Sequence, residues 1–139
     1  MIKKIYSVGI VVGYENEILI LHRNPEKTQG NTWGLPAGKI NINENSLNAA
    51  IRELNEETGY KAKPNELEFI GNFDWNSPKL IVNFPTYKLK LNSKFEIKIN
   101  PKEHQNYKWI TPENCYKKTD LIHGFHNLLE KFYNIKPKK

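Results

Sequence analysis

The sequence predicts an α/β fold, and three observations carry that prediction. Runs of β-branched and apolar residues precede a helix-patterned stretch at residues 47–57, similar runs follow it, and a segment with helical apolar spacing closes the chain. Strands split around a central helix and followed by a terminal one indicate helices layered on a sheet. At 139 residues the chain is expected to form a single domain, 1–139, long enough to bury a core.

The elements follow in order. Residues 5–12 and 18–21 read as two strands, with Tyr14, Glu15, Asn16 and Glu17 between them as a hairpin turn. Residues 24–31 are polar and carry Pro25 and Gly30, as a loop does. Residues 33–38 (WGLPAG) form a tight segment leading into the loop before the central helix. Asn45 or Ser46 can cap that helix, and Gly59 can end it in a left-handed conformation. Two strands are expected at 67–74 and 80–91, with Pro85 marking an edge strand or a bulge in the second. Asn76, Ser77 and Pro78 read as a loop between them. Residues 107–110 read as a strand, 111–113 (TPE) as a turn, and 121–133 as the closing helix. The chain has no repeat, low-complexity tract or linker.

The central helix carries the chemistry. Leu47, Ala50, Ile51 and Leu54 form one stripe, while Glu53, Glu56 and Glu57 share a face roughly 120° away. Arg52 stands beside these acids and Glu44 precedes the helix. A glutamate-rich helix face is ordinarily solvated, and Arg52 with Glu56 makes a common i,i+4 ion pair. Crowded carboxylates, however, disfavour one another's ionisation, and a hard divalent cation with oxygen ligands relieves that repulsion.

Read together, Gly38, Glu44, Arg52, Glu53, Leu54, Glu56, Glu57, Gly59 and Tyr60 match G-x5-E-x7-R-E-U-x-E-E-x-G-U, where U is a bulky apolar residue. The stretch resembles the Nudix box, and the chain is identified as similar to MutT-like members of the Nudix hydrolase family over nearly its whole length. Seven fully specified positions, each met by chance at about 0.07, make an accidental match on the order of one in a million chains. Only Tyr60 departs from the pattern, being aromatic where an aliphatic residue is usual.

The resemblance implies a Nudix α/β/α sandwich, a mixed β-sheet flanked by helices. It also implies Mg²⁺- or Mn²⁺-dependent hydrolysis of a diphosphate linkage in a nucleoside diphosphate derivative. Glu53, Glu56 and Glu57 then match metal ligands, with a backbone carbonyl near Gly38 and Ala37. Arg52 matches a residue that holds a glutamate in position, and Glu44 is either a helix-entry charge or an outer partner of the metal site. The general base is Glu53, or else an acid outside the box, Glu103 before Glu96. Glu103 opens a segment, EHQNYKW, of a kind often found after the variable loop in this family. Arg23 and Lys39 are candidate phosphate contacts, and Trp33, Phe73 and Trp75 candidate stacking partners for a base. His22, His104, His123 and His126 make no metal pattern and read as surface or packing residues.

A (d)NTP, oxidised or not, cut to the monophosphate and pyrophosphate is the first substrate reading. Dinucleoside polyphosphates, ADP-ribose and an RNA 5′ end are the alternatives. A Nudix-fold module that senses a nucleotide or RNA without cutting it is the non-enzymatic one, and the complete set of box acids argues against it. The net charge of +6 is dispersed and ends in Lys136, Lys138 and Lys139, so it suits anionic metabolites without marking a nucleic-acid surface. A lone Cys115 excludes an internal disulfide and suits a reducing cytoplasm, and no apolar run reaches membrane-spanning length. The sequence leaves monomer and homodimer both open.

Overall fold

The computed structural model describes residues 1–137; of the basic tail, Lys138 and Lys139 lie outside the described residues. The elements are β1 (Lys3–Tyr14), β2 (Glu17–Arg23), β3 (Trp33–Gly34), β4 (Ala37–Lys39), α1 (Ser46–Thr58), β5 (Leu67–Asn72), β6 (Trp75–Ser77), β7 (Leu80–Asn83), β8 (Pro85–Leu91), β9 (His104–Ile110), α2 (Pro112–Tyr116) and α3 (Phe125–Tyr133). A single 3₁₀ turn, Pro64–Glu66, leads into β5.

Alternation along β1 and β2 explains the layering. Val8, Ile10 and Val12 with Leu19 and Leu21 join a core with Ala49, Ala50 and Leu54 of α1. Val11, Ile18 and Ile20 face the other way, onto Cys115 of α2 and Phe125, Leu128 and Leu129 of α3. A period of two on a central strand therefore places one helical layer on each face of the sheet. The sheet is mixed, because β1 runs parallel to β7 and β8 but antiparallel to β2 and β4. Truncating a fully buried anchor such as Leu54 to alanine is worth about 2–5 kcal/mol.

β1 changes partners at its middle, and that change opens the molecule. Lys3 to Tyr6 pair with β7, while Gly9 to Tyr14 pair with β8; on the other edge, Ser7 to Gly9 pair with β4 before β2 takes over. β4 thus reaches the sheet beside the second half of α1, where Lys39, Gly38 and Ala37 meet Arg52, Glu53 and Glu57.

Five expectations need correction. Residues 80–91 form two strands, because the Phe84 N–H donates to Asp74 Oδ1 at 2.7 Å and its carbonyl accepts from Phe73 N–H at 2.9 Å. Both of its backbone groups therefore leave the ladder, and Pro85 has no N–H to continue it. Pro85 is not on an edge: β8 lies between β1 and β5, and the proline is tolerated as its first residue. A bulge does occur, on the facing strand between Phe69 and Gly71. Asn76 and Ser77 are not loop but part of β6, paired with Ile81 and Leu80. The closing helix starts at Phe125 rather than residue 121, since Trp33 N–H donates to Asp120 O and Ile122 N–H to Trp33 O, both at 2.9 Å. The expected turn at Thr111 becomes the start of α2, with the Thr111 side chain accepting from Asn114 N–H.

Candidate active site

α1 is built as its sequence dictates. The Asn45 side chain accepts from Asn48 N–H at 2.8 Å, and Gly59 ends the helix at φ 85°. Tyr60, the unusual residue of the box, packs against Phe95 and donates from its hydroxyl to Glu66 at 2.6 Å. Its aromatic ring thereby serves the helix exit and stays clear of the acids.

Arg52 organises four residues through their oxygens. Nε and Nη2 donate to the two oxygens of Glu44 at 2.8 and 2.9 Å, a bidentate fork. Nη1 donates to Glu53 at 2.7 Å and to Glu56 at 3.0 Å, and Nη2 reaches the Lys39 carbonyl at 2.9 Å. The Arg52 guanidinium and the Asn41 N–H hold the Glu44 carboxyl well below its usual range, at about 2. Glu44 is thus the anchor of the arginine, and the helix-entry alternative is secondary to that contact.

Glu53 lies against Gly38, where even a methyl group would overlap its carboxylate. Glycine is required there for close approach rather than for an unusual backbone angle. Glu57 is buried, and one oxygen accepts from the Ala37 N–H at 3.0 Å. Burial raises the proton affinity of both acids, Glu57 to about 8, with Arg52 opposing the rise at Glu53 and Ala37 opposing it at Glu57. Three carboxylates, Glu44, Glu53 and Glu56, surround a single guanidinium, while Glu57 stands apart on the Ala37 N–H.

These groups open onto a cavity of about 560 Å³. Gly38, Lys39, Glu53, Glu56, Glu57, Arg23 and Glu103 line it, so seven of the residues singled out from sequence share one space. Arg52 and Glu44 stand behind the acids, outside the lining. Glu103 is tied to Lys27 at 3.3 Å, and Arg23 donates from Nε to the Thr28 carbonyl at 2.9 Å. Three expected residues are elsewhere. Trp33 is buried in the core with His22 stacked on it at 4.3 Å, and Phe73 is buried against Phe132. Neither faces the cavity, because short strands and the bridge to Leu121 turn these rings into the layer beneath α3. Glu96 is exposed and away from the lining.

Another part of the lining is apolar. Trp75, Phe84, Ile122 and Phe125 line it, and His123 stacks on Trp75 with centroids 5.8 Å apart. Gly124, at φ 88°, lies so close under the indole that a side chain there would displace it. Trp75 was among the candidates from sequence; Phe84, His123 and His104 were missed as cavity residues. No local signal marks them, since the strand break at Phe84 and the bridge at residues 120–122 bring them in.

Among the described residues no three acids or histidines converge closely enough to hold an ion by themselves. The donor set nevertheless fits a hard cation. Glu53 keeps Oε2 free of hydrogen bonds to protein, as does Glu57, and both face the same space as Glu56 and the Ala37–Gly38 backbone.

The family follows from comparison with known proteins. A model of the NUDIX domain matches residues 3–132. The chain belongs to the Nudix family. An RNA pyrophosphohydrolase of Pelagibacter ubique is 31% identical, over 86% of this chain and 82% of that one. A CTP pyrophosphohydrolase of Escherichia coli is 25% identical, over 81% and 80% respectively. A crystal structure of a MutT protein from Methanosarcina mazei has the same fold, with a TM-score of 0.84 at 24% identity over 96% and 95% of the two chains. As a Nudix hydrolase, the protein belongs to a class of pyrophosphohydrolases that generally need a divalent metal ion. No helix among the described residues is long and apolar enough to cross a membrane.

Proposed function

We propose that this chain hydrolyses a nucleoside triphosphate, ribo or deoxy, to the monophosphate and pyrophosphate. The observation that carries the reading is the cavity itself: acids of α1 and a set of aromatic rings line the same space of about 560 Å³. That volume suits one mononucleotide, with its phosphates toward Glu53, Glu56 and Glu57 and its base toward Trp75 and Phe84.

Glu53, Glu56 and Glu57, with backbone oxygen near Gly38, would hold Mg²⁺ or Mn²⁺. Such an ion polarises the phosphate oxygens and offsets charge as the anhydride breaks. Glu53 is the proposed base, its burial raising its affinity for the proton of the attacking water. The water oxygen bonds to phosphorus, the proton passes to Glu53, and the anhydride oxygen leaves with pyrophosphate. Glu103, the alternative base, is engaged by Lys27. Arg23 and Lys39 meet the phosphates. Arg52 holds Glu53 and Glu56 in place without touching substrate. We place this activity in the cytoplasm, in keeping with a single, buried and free cysteine.

A second reading has its own support. The 31% identical relative is named an RNA pyrophosphohydrolase, and this chain carries a net charge of +6, so a 5′-triphosphorylated RNA end is the competing substrate. Incubation with Mg²⁺ or Mn²⁺ against (d)NTPs, oxidised nucleotides, ADP-ribose, diadenosine tetraphosphate and a 5′-triphosphorylated RNA separates the readings. Monophosphate plus pyrophosphate from one or more (d)NTPs is the expected result. Turnover confined to the RNA would overturn it in favour of the second reading. Tight binding with no turnover of any substrate would make the chain a sensor.

A further inference from the structure

His104 opens β9 and lines the acidic end of the cavity. It is 4% exposed, and its Nδ1 has no hydrogen-bond partner, alone in this among buried side-chain nitrogens and oxygens of the described residues. A buried polar atom left without a partner costs about 1–3 kcal/mol, so its persistence calls for a reason. The backbone on either side is fixed: His104 N–H donates to Asn100 O at 2.9 Å, and the residue pairs with Arg23 beyond a bulge in β9 at Gln105. The imidazole is therefore held in the wall by its own strand.

What it faces is Glu57. Nδ1 lies 3.9 Å from Glu57 Oε2, while Glu57 Oε1 is already taken by the Ala37 N–H. Each buried group has one unused atom, and these two atoms are the pair 3.9 Å apart. A movement of about 0.7 Å brings that separation to the 3.2 Å at which an N–H···O bond forms. We propose that His104 is a positioning residue for Glu57. Its Nδ1–H grips Oε2 while the Ala37 amide grips Oε1, so that the carboxylate plane is fixed from both sides before it meets a cation. Partners of this kind behind a metal-binding carboxylate typically contribute 10–100-fold in metal affinity.

The proposal rests on the metal role given above to Glu57, and the test separates the two. Mn²⁺ binding to substrate-free protein is measured by calorimetry for His104→Leu, His104→Asn, Glu57→Gln and the double variants. Asparagine returns an N–H near the place of Nδ1; leucine keeps the bulk without a donor. Thermal melting checks folding, and His104→Gln, whose amide mimics the other ring nitrogen, replaces the leucine variant if that one fails to fold. The expected result is binding weakened about tenfold or more by His104→Leu, largely restored by His104→Asn, with no further loss when His104→Leu is added to Glu57→Gln. With substrate, kcat falls while KM holds. Unchanged Mn²⁺ affinity in His104→Leu, equal loss in Leu and Asn variants, or full additivity with Glu57→Gln overturns the role of His104. Unchanged affinity in Glu57→Gln overturns instead the role of Glu57.

Discussion

The two walls of the cavity are made in opposite ways. The acidic wall comes from one helix and the three-residue strand beside it, so Glu53, Glu56 and Glu57 owe their relative positions to helical spacing alone. The aromatic wall is assembled from β6, the break between β7 and β8, and the segment before α3, and no two of its rings are neighbours in sequence. A local device tolerates little variation, because each acid is fixed by the same thirteen-residue helix. A wall built from separate segments can change one side chain at a time. On the proposed function, the reaction is expected to depend on the first and the choice of substrate on the second.

Removing one acid is the most severe way to break that division. Glu56→Gln and Glu57→Gln keep shape and lose charge, and each is expected to lower kcat on the order of 10²–10³-fold, the usual cost of one electrostatic group at a reacting centre. Steady-state kinetics at saturating Mg²⁺ reads this directly. An effect confined to KM would move these acids out of the reaction and into simple binding.

Next comes Arg52→Lys. Lysine retains the charge but cannot make the fork to Glu44 while also reaching Glu53, Glu56 and the Lys39 carbonyl. A drop of about 10–100-fold in kcat is expected, with KM for nucleotide nearly constant, since Arg52 lies behind the cavity lining. A large rise in KM would instead make Arg52 a substrate contact.

The aromatic wall should behave the other way. Trp75→Ala removes a stacking surface worth about 1–3 kcal/mol per base, so KM should rise about 5- to 150-fold with kcat little changed. The rise should differ between purine and pyrimidine triphosphates. Equal loss for all substrates in kcat would show that the indole supports the fold around Gly124 rather than the base.

How much of this was legible in the sequence follows from the same contrast. The box residues, both caps of α1 and the role of Arg52 could be read because they depend on contacts within about 20 residues. The α/β layering was readable from alternation in β1 and β2. Trp33 and Phe73 misled, because an aromatic ring next to a strand end reads the same whether it points to a core or a cavity. For Trp33 the bridge to Leu121, nearly 90 residues away, decides that, and for Phe73 the bond of its N–H to Phe84 O. Phe84 and His104 were invisible as cavity residues for a similar reason: a strand break and a bulge place them, and both arise from tertiary pairing.

The smallest expected effect concerns the acidic wall without its metal. Burial raises Glu57 from 4.5 to about 8 and lowers His104 from 6.5 to about 4. Between pH 4.5 and 6.5 the two oppose each other. The native state binds more protons at Glu57 than the unfolded chain does, which makes stability fall as pH rises, while it binds fewer at His104, which makes stability rise. Above pH 6.5 the histidine is neutral in both states and only Glu57 contributes. The metal-free protein should therefore lose a few degrees of melting temperature between about pH 6.5 and 8. Mg²⁺ should flatten that slope, because a cation beside the carboxylate removes the cost of its charge, and Glu57→Gln should flatten it without metal. A slope that survives both changes would mean that the acidic wall is already balanced by Arg52, and that the crowding of its carboxylates has no energetic weight.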